Sequence, residues 1–162
     1  MGAGASGTAS STIEKEVAIF ASHLPMAELL NGGIIRLPGA SGYFNPDSLL
    51  EPSWLKGKMT VEEYRSAINY INSCAVRKEL EIKSQIWPKE TYEREKAKAE
   101  AGQAAVQKLN EQQSSVRFTY QQSLEKVEYI PIYDKNLLSY ISVLAEKGRY
   151  LTVRYYIYMN VN

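Results

Sequence analysis

Few side chains in this chain are of a type and spacing that does chemistry. His23 is the only histidine and Cys74 the only cysteine. A zinc site needs several such ligands and a Cys/His catalytic pair needs both within reach, so neither chemistry is expected. His23 falls where a short helical pattern ends and reads as a surface or capping residue. Cys74 falls on the apolar side of a helical pattern, where a cysteine acts as a small hydrophobe and not as a nucleophile. Gly32-Gly33 is followed by Ile-Ile-Arg-Leu, which fits neither a phosphate-binding loop nor a dinucleotide fingerprint. The carboxylates stand beside lysines in charged helical stretches, the pattern of solvated ion pairs. No catalytic residue, metal site, cofactor or small-molecule substrate is read from these residues. The expected activity is binding.

One short motif points to a modification. MGAGAS fits N-myristoylation, with Gly2 as the acceptor once Met1 is removed and Ser6 at the hydroxyl position. The bland alternative is a disordered Gly/Ala/Ser leader. A single myristoyl chain gives only marginal, reversible membrane binding, so stable residence needs a second attachment such as a membrane protein.

Bulk composition narrows the classes further. At 162 residues the chain has the length of one domain. Nineteen basic against 18 acidic residues leave a formal charge of +1, which argues against a nucleic-acid-binding surface over the whole molecule. One cysteine cannot form an intramolecular disulfide, and no apolar run reaches the ~18 residues of a membrane span. With no secretory signal pattern either, an intracellular protein is expected. Twelve tyrosines against three phenylalanines supply rings with polar tips, which suit contact with a partner.

The elements that must position these residues are legible in the spacing. Residues 1–12 are low-complexity and read as a flexible tail, with a single domain over 13–162. Ile13, Val17 and Phe20 recur at helical spacing up to Pro25. GGIIRLPG reads as a brief extended segment, and ASGYFNPDSLLEP as an ordered loop pinned by Tyr43, Phe44, Leu49 and Leu50. Thr60 and Glu63 form a capping box. Behind it Val61, Tyr64, Ile68, Ile71 and Ala75 make one apolar stripe, widened by Ala67 and Cys74. The opposite face carries Glu62, Arg65, Ser66, Asn69 and Arg77.

Residues 88–112 begin at Pro88 and continue as a charged, alanine-rich helix with a thin apolar face, read as a solvated arm. Its alternative role is to hold a second chain through Ala101, Ala104, Ala105 and Leu109. VRFTYQQ and VEYIPIYD read as strands, the second at an edge because of Pro131. NLLSYISVLAEKG reads as a helix that ends at Lys147-Gly148. In RYLTVRYYIYMNV, Leu151, Val153, Tyr155, Ile157, Met159 and Val161 alternate with Tyr150, Thr152, Arg154, Tyr156, Tyr158 and Asn160. This is the best strand in the chain, and at a sheet edge such a strand is also a candidate for pairing with another protein. The expected fold is α+β, three to four helices with a small antiparallel sheet that ends in a C-terminal strand.

PSWLKGKMTVEEYRSAINYINSC, Pro52 to Cys74, resembles the golgin subfamily A member 7 and Ras-palmitoylation accessory-subunit family, most closely its cysteine-rich hydrophobic domain branch. The similar residues are Pro52, Leu55, Gly57-Lys58, Glu62-Glu63 before Tyr64, Ile68-Asn69, and Ile71-Asn72-Ser73-Cys74. The resemblance implies a non-enzymatic, membrane-associated protein at the cytoplasmic face of Golgi, vesicle or plasma membranes. It implies as partner a membrane protein of the DHHC-type palmitoyltransferase class. It also makes Trp54, Leu55, Tyr64, Ile68, Asn69 and Asn72 candidate partner contacts, to which the strand pattern adds Tyr156 and Tyr158. The chain departs from its relatives directly after this stretch. Where they carry an apolar, palmitoylated cysteine-rich segment, it has AVRKELEIKSQIWPKETYEREKAKAE, so membrane attachment shifts to Gly2 or to the partner. The rival expectation is a lineage-specific structural subunit of a large multiprotein assembly.

Overall fold

The computed structural model describes residues 3–85, 91–128 and 149–162, and the chain is α+β. Among the described residues three α-helices, α1 (Ala3–Ser22), α2 (Val61–Lys83) and α3 (Thr91–Gln112), accompany four strands. The strands are β1 (Glu28–Leu30), β2 (Ile34–Gly39), β3 (Arg117–Glu128) and β4 (Arg149–Asn160). They form one antiparallel sheet in the order β1-β2-β4-β3. A 3-10 turn, Pro52–Leu55, precedes α2. Pro88, the helix expected over NLLSYISVLAEKG and most of VEYIPIYD lie outside the described residues. Val127 and Glu128 extend β3 directly from VRFTYQQ, so one strand stands where two were expected to begin.

The capping box sets the start of α2. The Thr60 hydroxyl accepts from the Glu63 N–H at 3.1 Å, and the Glu63 carboxylate accepts from the Thr60 N–H at 3.4 Å. This satisfies two donors that the first turn leaves open. Tyr64, Ala67, Ile68, Ile71 and Ala75 are buried along one face, as the spacing predicts, while Val61 and Cys74 are half-buried at its margin.

Alternation in β4 sends Tyr155, Ile157, Met159 and Val161 inward, where they meet Ile35 and Leu37 of β2 and Phe118 and Tyr120 of β3 in one core with α2. β4 lies inside the sheet, flanked by β2 and β3, so the pairing with another protein that an edge position would allow is closed to it where both neighbours reach. Both of its edges are hydrogen-bonded from Tyr155 to Asn160, so it offers no free edge there. A self-contained alternating pattern fixes which face a residue takes, whereas strand order depends on pairings more than 100 residues apart.

The alanine-rich helix is not a solvated arm. α3 packs on α2 and on β3, and Ala97, Ala99, Ala105, Val106 and Leu109 are buried. Small side chains allow close approach, and Gly102 shows it most plainly. A Cβ there would fall 2.3 Å from the Tyr120 ring, so glycine alone fits beneath it. Of the residues weighed for holding a second chain, Ala105 and Leu109 are consumed by this packing, while Ala104 stays exposed.

Lys98 of α3 joins the layers by charge. Its ammonium, with little exposure, lies 3.0 Å from the Glu79 carboxylate of α2 and 3.7 Å from that of Glu95, which also accepts from the Tyr155 hydroxyl.

Two further expectations are corrected. The low-complexity stretch placed in a tail is helical from Ala3, continuous with the helix that carries Ile13 and Val17. Ala3, Ala5 and Ala9 favour helix, and the helix docked on α2 gives them one to extend. Leu50 does not pin the loop, since it is 56% exposed, whereas Tyr43 and Phe44 are buried and Leu49 is partly so.

Candidate partner-binding surface

The inner face of the sheet is closed by helices, and the register defines what remains on the other side. Glu28, Arg36, Tyr158 and Thr119 stand in one row across the four strands. Leu30, Ile34, Asn160 and Arg117 form the next, and Pro38, Tyr156 and Gln121 the third. None of these eleven residues is buried. Side chains of opposite parity in β2, β3 and β4 fill the core, which is why tyrosines can alternate along β4 and serve both faces.

At the centre of this outer face the rings of Tyr156 and Tyr158 lie 6.1 Å apart, tilted by 39°. The Arg36 guanidinium sits 5.5 Å over the Tyr156 ring, a cation–π distance, and donates to Glu28 at 2.6 Å. The Glu28 hydrogen bond is the main reason that the Arg36 guanidinium holds its proton more tightly than usual. Glu28 and Arg36 pair across β1 and β2, so one basic group is fixed in place and Tyr156 is held under it. The result is a flat surface of aromatic, aliphatic and arginine side chains, the composition that marks contact regions on proteins. Sequence pattern found the tyrosines. It missed Arg36 and Glu28, whose pairing depends on the β1–β2 hairpin that Gly32 and Gly33, at φ of 84° and 78°, turn.

Most residues taken from Pro52–Cys74 are elsewhere. Leu55, Tyr64 and Ile68 are core residues with at most 1% exposure, and they present no surface to a partner. The Tyr64 hydroxyl is spent on Ser48 at 2.5 Å, and burial pushes its pKa up to about 12 against the lowering effect of that bond. Asn72 is also buried. Its carboxamide accepts from the Phe44 N–H and donates to the Phe44 carbonyl, both at 2.8 Å, so it is a brace for the loop and not a contact. An asparagine at the margin of a helix's apolar stripe gives no sign that a distant loop will fold over it. Asn69 is exposed and lines a groove of about 380 Å3 between α1 and α2, beside Arg65 and Asp47. Trp54 is half-buried against the core edge. Gly2 lies outside the described residues.

Comparison of the chain with models of protein families, with curated proteins and with solved structures gave no match. The resemblance at Pro52–Cys74 therefore rests on those residues alone.

The remaining chemistry-bearing groups have structural partners. His23 is exposed, with a ring nitrogen 2.8 Å from the Ile19 carbonyl at the end of α1. Cys74 packs at the core margin and accepts from the Arg77 guanidinium at 3.1 Å. Among the described residues no group of three or more His, Cys, Asp and Glu is placed to hold a metal ion, and no helix is long and apolar enough to cross a membrane.

Proposed function

We propose that this chain is a non-enzymatic accessory or scaffold protein that docks on a membrane protein, and that the outer face of the sheet is its docking surface. The supporting observation is the ordered Tyr156, Tyr158 and Arg36 cluster on a sheet face that no described helix covers. A DHHC-type palmitoyltransferase is the class of partner favoured by the resemblance at Pro52–Cys74. In this reading the buried half of that stretch preserves the scaffold, while Asn69 and Trp54 are its members still accessible to a partner.

Membrane residence has two parts in this account. A myristoyl group on Gly2 gives weak, reversible attachment, and the bound membrane protein supplies the second contact. The protein then works at the cytoplasmic face of Golgi, vesicle or plasma membranes. The subunit of a large assembly is the weaker reading, because the helix expected as its long free arm, α3, is packed on α2 and β3.

Affinity purification from cells with an unblocked native N-terminus is the test. Recovery of a DHHC enzyme supports the accessory role. Recovery of a large soluble assembly without one refutes it. Mass spectrometry of the same material that shows an unmodified or acetylated Gly2 removes the lipid from the account.

A further inference from the structure

The sheet has one long side that no described strand pairs. β1, at one edge, has three residues, and shortness is a common way of blunting an edge. β3, at the other, has 12 residues and contains no proline. Its pairing with β4 is regular throughout, one residue against one, so its main-chain groups alternate strictly between β4 and the outer edge. Phe118 identifies the outward set. Its N–H and its C=O both bond to the side chain of Asn110 at 2.8 Å, on the side away from β4. Two and four residues on, Tyr120 and Gln122 turn theirs to the same edge, and among the described residues no hydrogen bond closes it there. An open groove of about 450 Å3 runs alongside, lined by Gln103, Gln107 and Glu111 of α3 and by Arg117 and Thr119 of β3.

We propose that this edge receives an extended segment of the partner protein as a fifth, antiparallel strand. The inference rests on the reading of the chain as a binding protein and names a second place where the partner is held. The Asn110 carboxamide gives Phe118 one donor and one acceptor, so the first position on the edge is already filled by the chemistry of a peptide group. The next two are open to a real one.

Charge specifies the side chains. On the outer face Arg117 beside the edge and Arg154 on β4, across from Ser123, are exposed and make no ion pair among the described residues. Glu28, the acid of the three rows, is engaged by Arg36. Alternate side chains of an added strand fall on this arginine-bearing face, where carboxylates complement Arg117. The others fall on the α3 side, where Gln103 and Gln107 offer amides to neutral polar groups. The occupant is thus a segment that alternates acidic with uncharged polar residues. In an antiparallel pair, residues that exchange hydrogen bonds share a face. The uncharged residues therefore bond Tyr120 and Gln122.

A capped, fluorescein-labelled decapeptide of alternating glutamate and threonine, titrated with the full-length protein, tests this by anisotropy. Saturable binding is expected. N-methylation of the threonine amides should weaken it at least tenfold, and N-methylation of the glutamate amides should not. Gln122→Pro deletes one outward N–H at an edge that tolerates proline and should also cost at least tenfold. Gln122→Ala, which loses the same side chain and keeps the N–H, should bind as the native protein does. Arg117→Glu should shift preference to an alternating lysine–threonine peptide.

No binding overturns the proposal, as does equal sensitivity to both methylations, or native binding by Gln122→Pro with an unchanged circular dichroism spectrum. A concentration-dependent dimer that Gln122→Pro abolishes also overturns it, because a second copy then holds the edge. Capture of a DHHC enzyme in cells alongside a failed peptide titration removes only this strand site and leaves the accessory role standing.

Discussion

The Asn72 carboxamide holds the main chain of Phe44 by two hydrogen bonds of 2.8 Å, across 28 residues of sequence. It lets a loop lie on α2 with its backbone satisfied and the Phe44 ring in the core. Asn110 does the same for Phe118 at the sheet edge. In both cases one planar side chain replaces a strand's peptide group.

Replacing Asn72 with alanine leaves a buried donor and a buried acceptor on Phe44 unpaired. Each such loss costs about 1–3 kcal/mol, so urea unfolding of Asn72→Ala should show a stability lower by about 2–6 kcal/mol. Asn72→Asp keeps the acceptor but buries a carboxylate against the Phe44 carbonyl, so at neutral pH it should be no more stable than Asn72→Ala, and it should recover on acidification, when the protonated acid can donate. An Asn72→Ala variant as stable as the native protein contradicts the brace.

Gly102 offers a test with an unambiguous sign. Glycine to alanine in a helix interior ordinarily adds about 1 kcal/mol of stability. Here the new methyl meets the Tyr120 ring, which is wedged between the Phe44 and Tyr155 rings at centroid distances of 5.9 and 6.3 Å. Gly102→Ala should therefore lower the thermal midpoint, with a cost of about 1–3 kcal/mol. In a Tyr120→Leu background the same change should become neutral or favourable.

Two buried tyrosines should respond oppositely to loss of their hydroxyls. Tyr64 bonds Ser48, whereas the Tyr120 hydroxyl is buried without a partner among the described residues. Tyr64→Phe should lose about 1 kcal/mol in denaturant unfolding. Tyr120→Phe removes an unpaired polar atom from the core and should be neutral or stabilising.

Alkaline pH should weaken the fold through Tyr64. Its pKa is pushed up to about 12 by burial, against about 10 in the unfolded chain. Below pH 10 the phenol is neutral in both states. Between pH 10 and 12 the unfolded state releases its proton first, so stability falls as pH rises, by a few kcal/mol across the window. Unfolding midpoints measured from pH 9 to 12 should show this decline, and Tyr64→Phe should show a shallower one.

What was legible in the sequence is what depends on near neighbours. Thr60 and Glu63 are three residues apart and define their own geometry, and the faces of α2 and β4 follow from side-chain period. What was not legible depends on distant partners. Alanines in α3 suit a free helix or a tightly packed one, and the Tyr120 ring that decides between them lies 18 residues beyond Gly102. The placement of β4 in the middle of the sheet is decided by Ile34–Gly39, far upstream. Asn72 resembled a surface contact because nothing near it in sequence announces Phe44. Of the candidate contacts, the tyrosine pair was visible as alternation, and the arginine that orders it was not.

Quantitative affinity purification of the native chain against a Tyr156→Ala/Tyr158→Ala variant tests most directly whether the outer sheet face binds a membrane protein. Both residues are only half-buried, so thermal unfolding should confirm that the variant is folded. The prediction is a DHHC-type enzyme recovered with the native chain and reduced at least tenfold with the variant. Equal recovery by a folded variant, or no membrane protein recovered by the native chain, would contradict it.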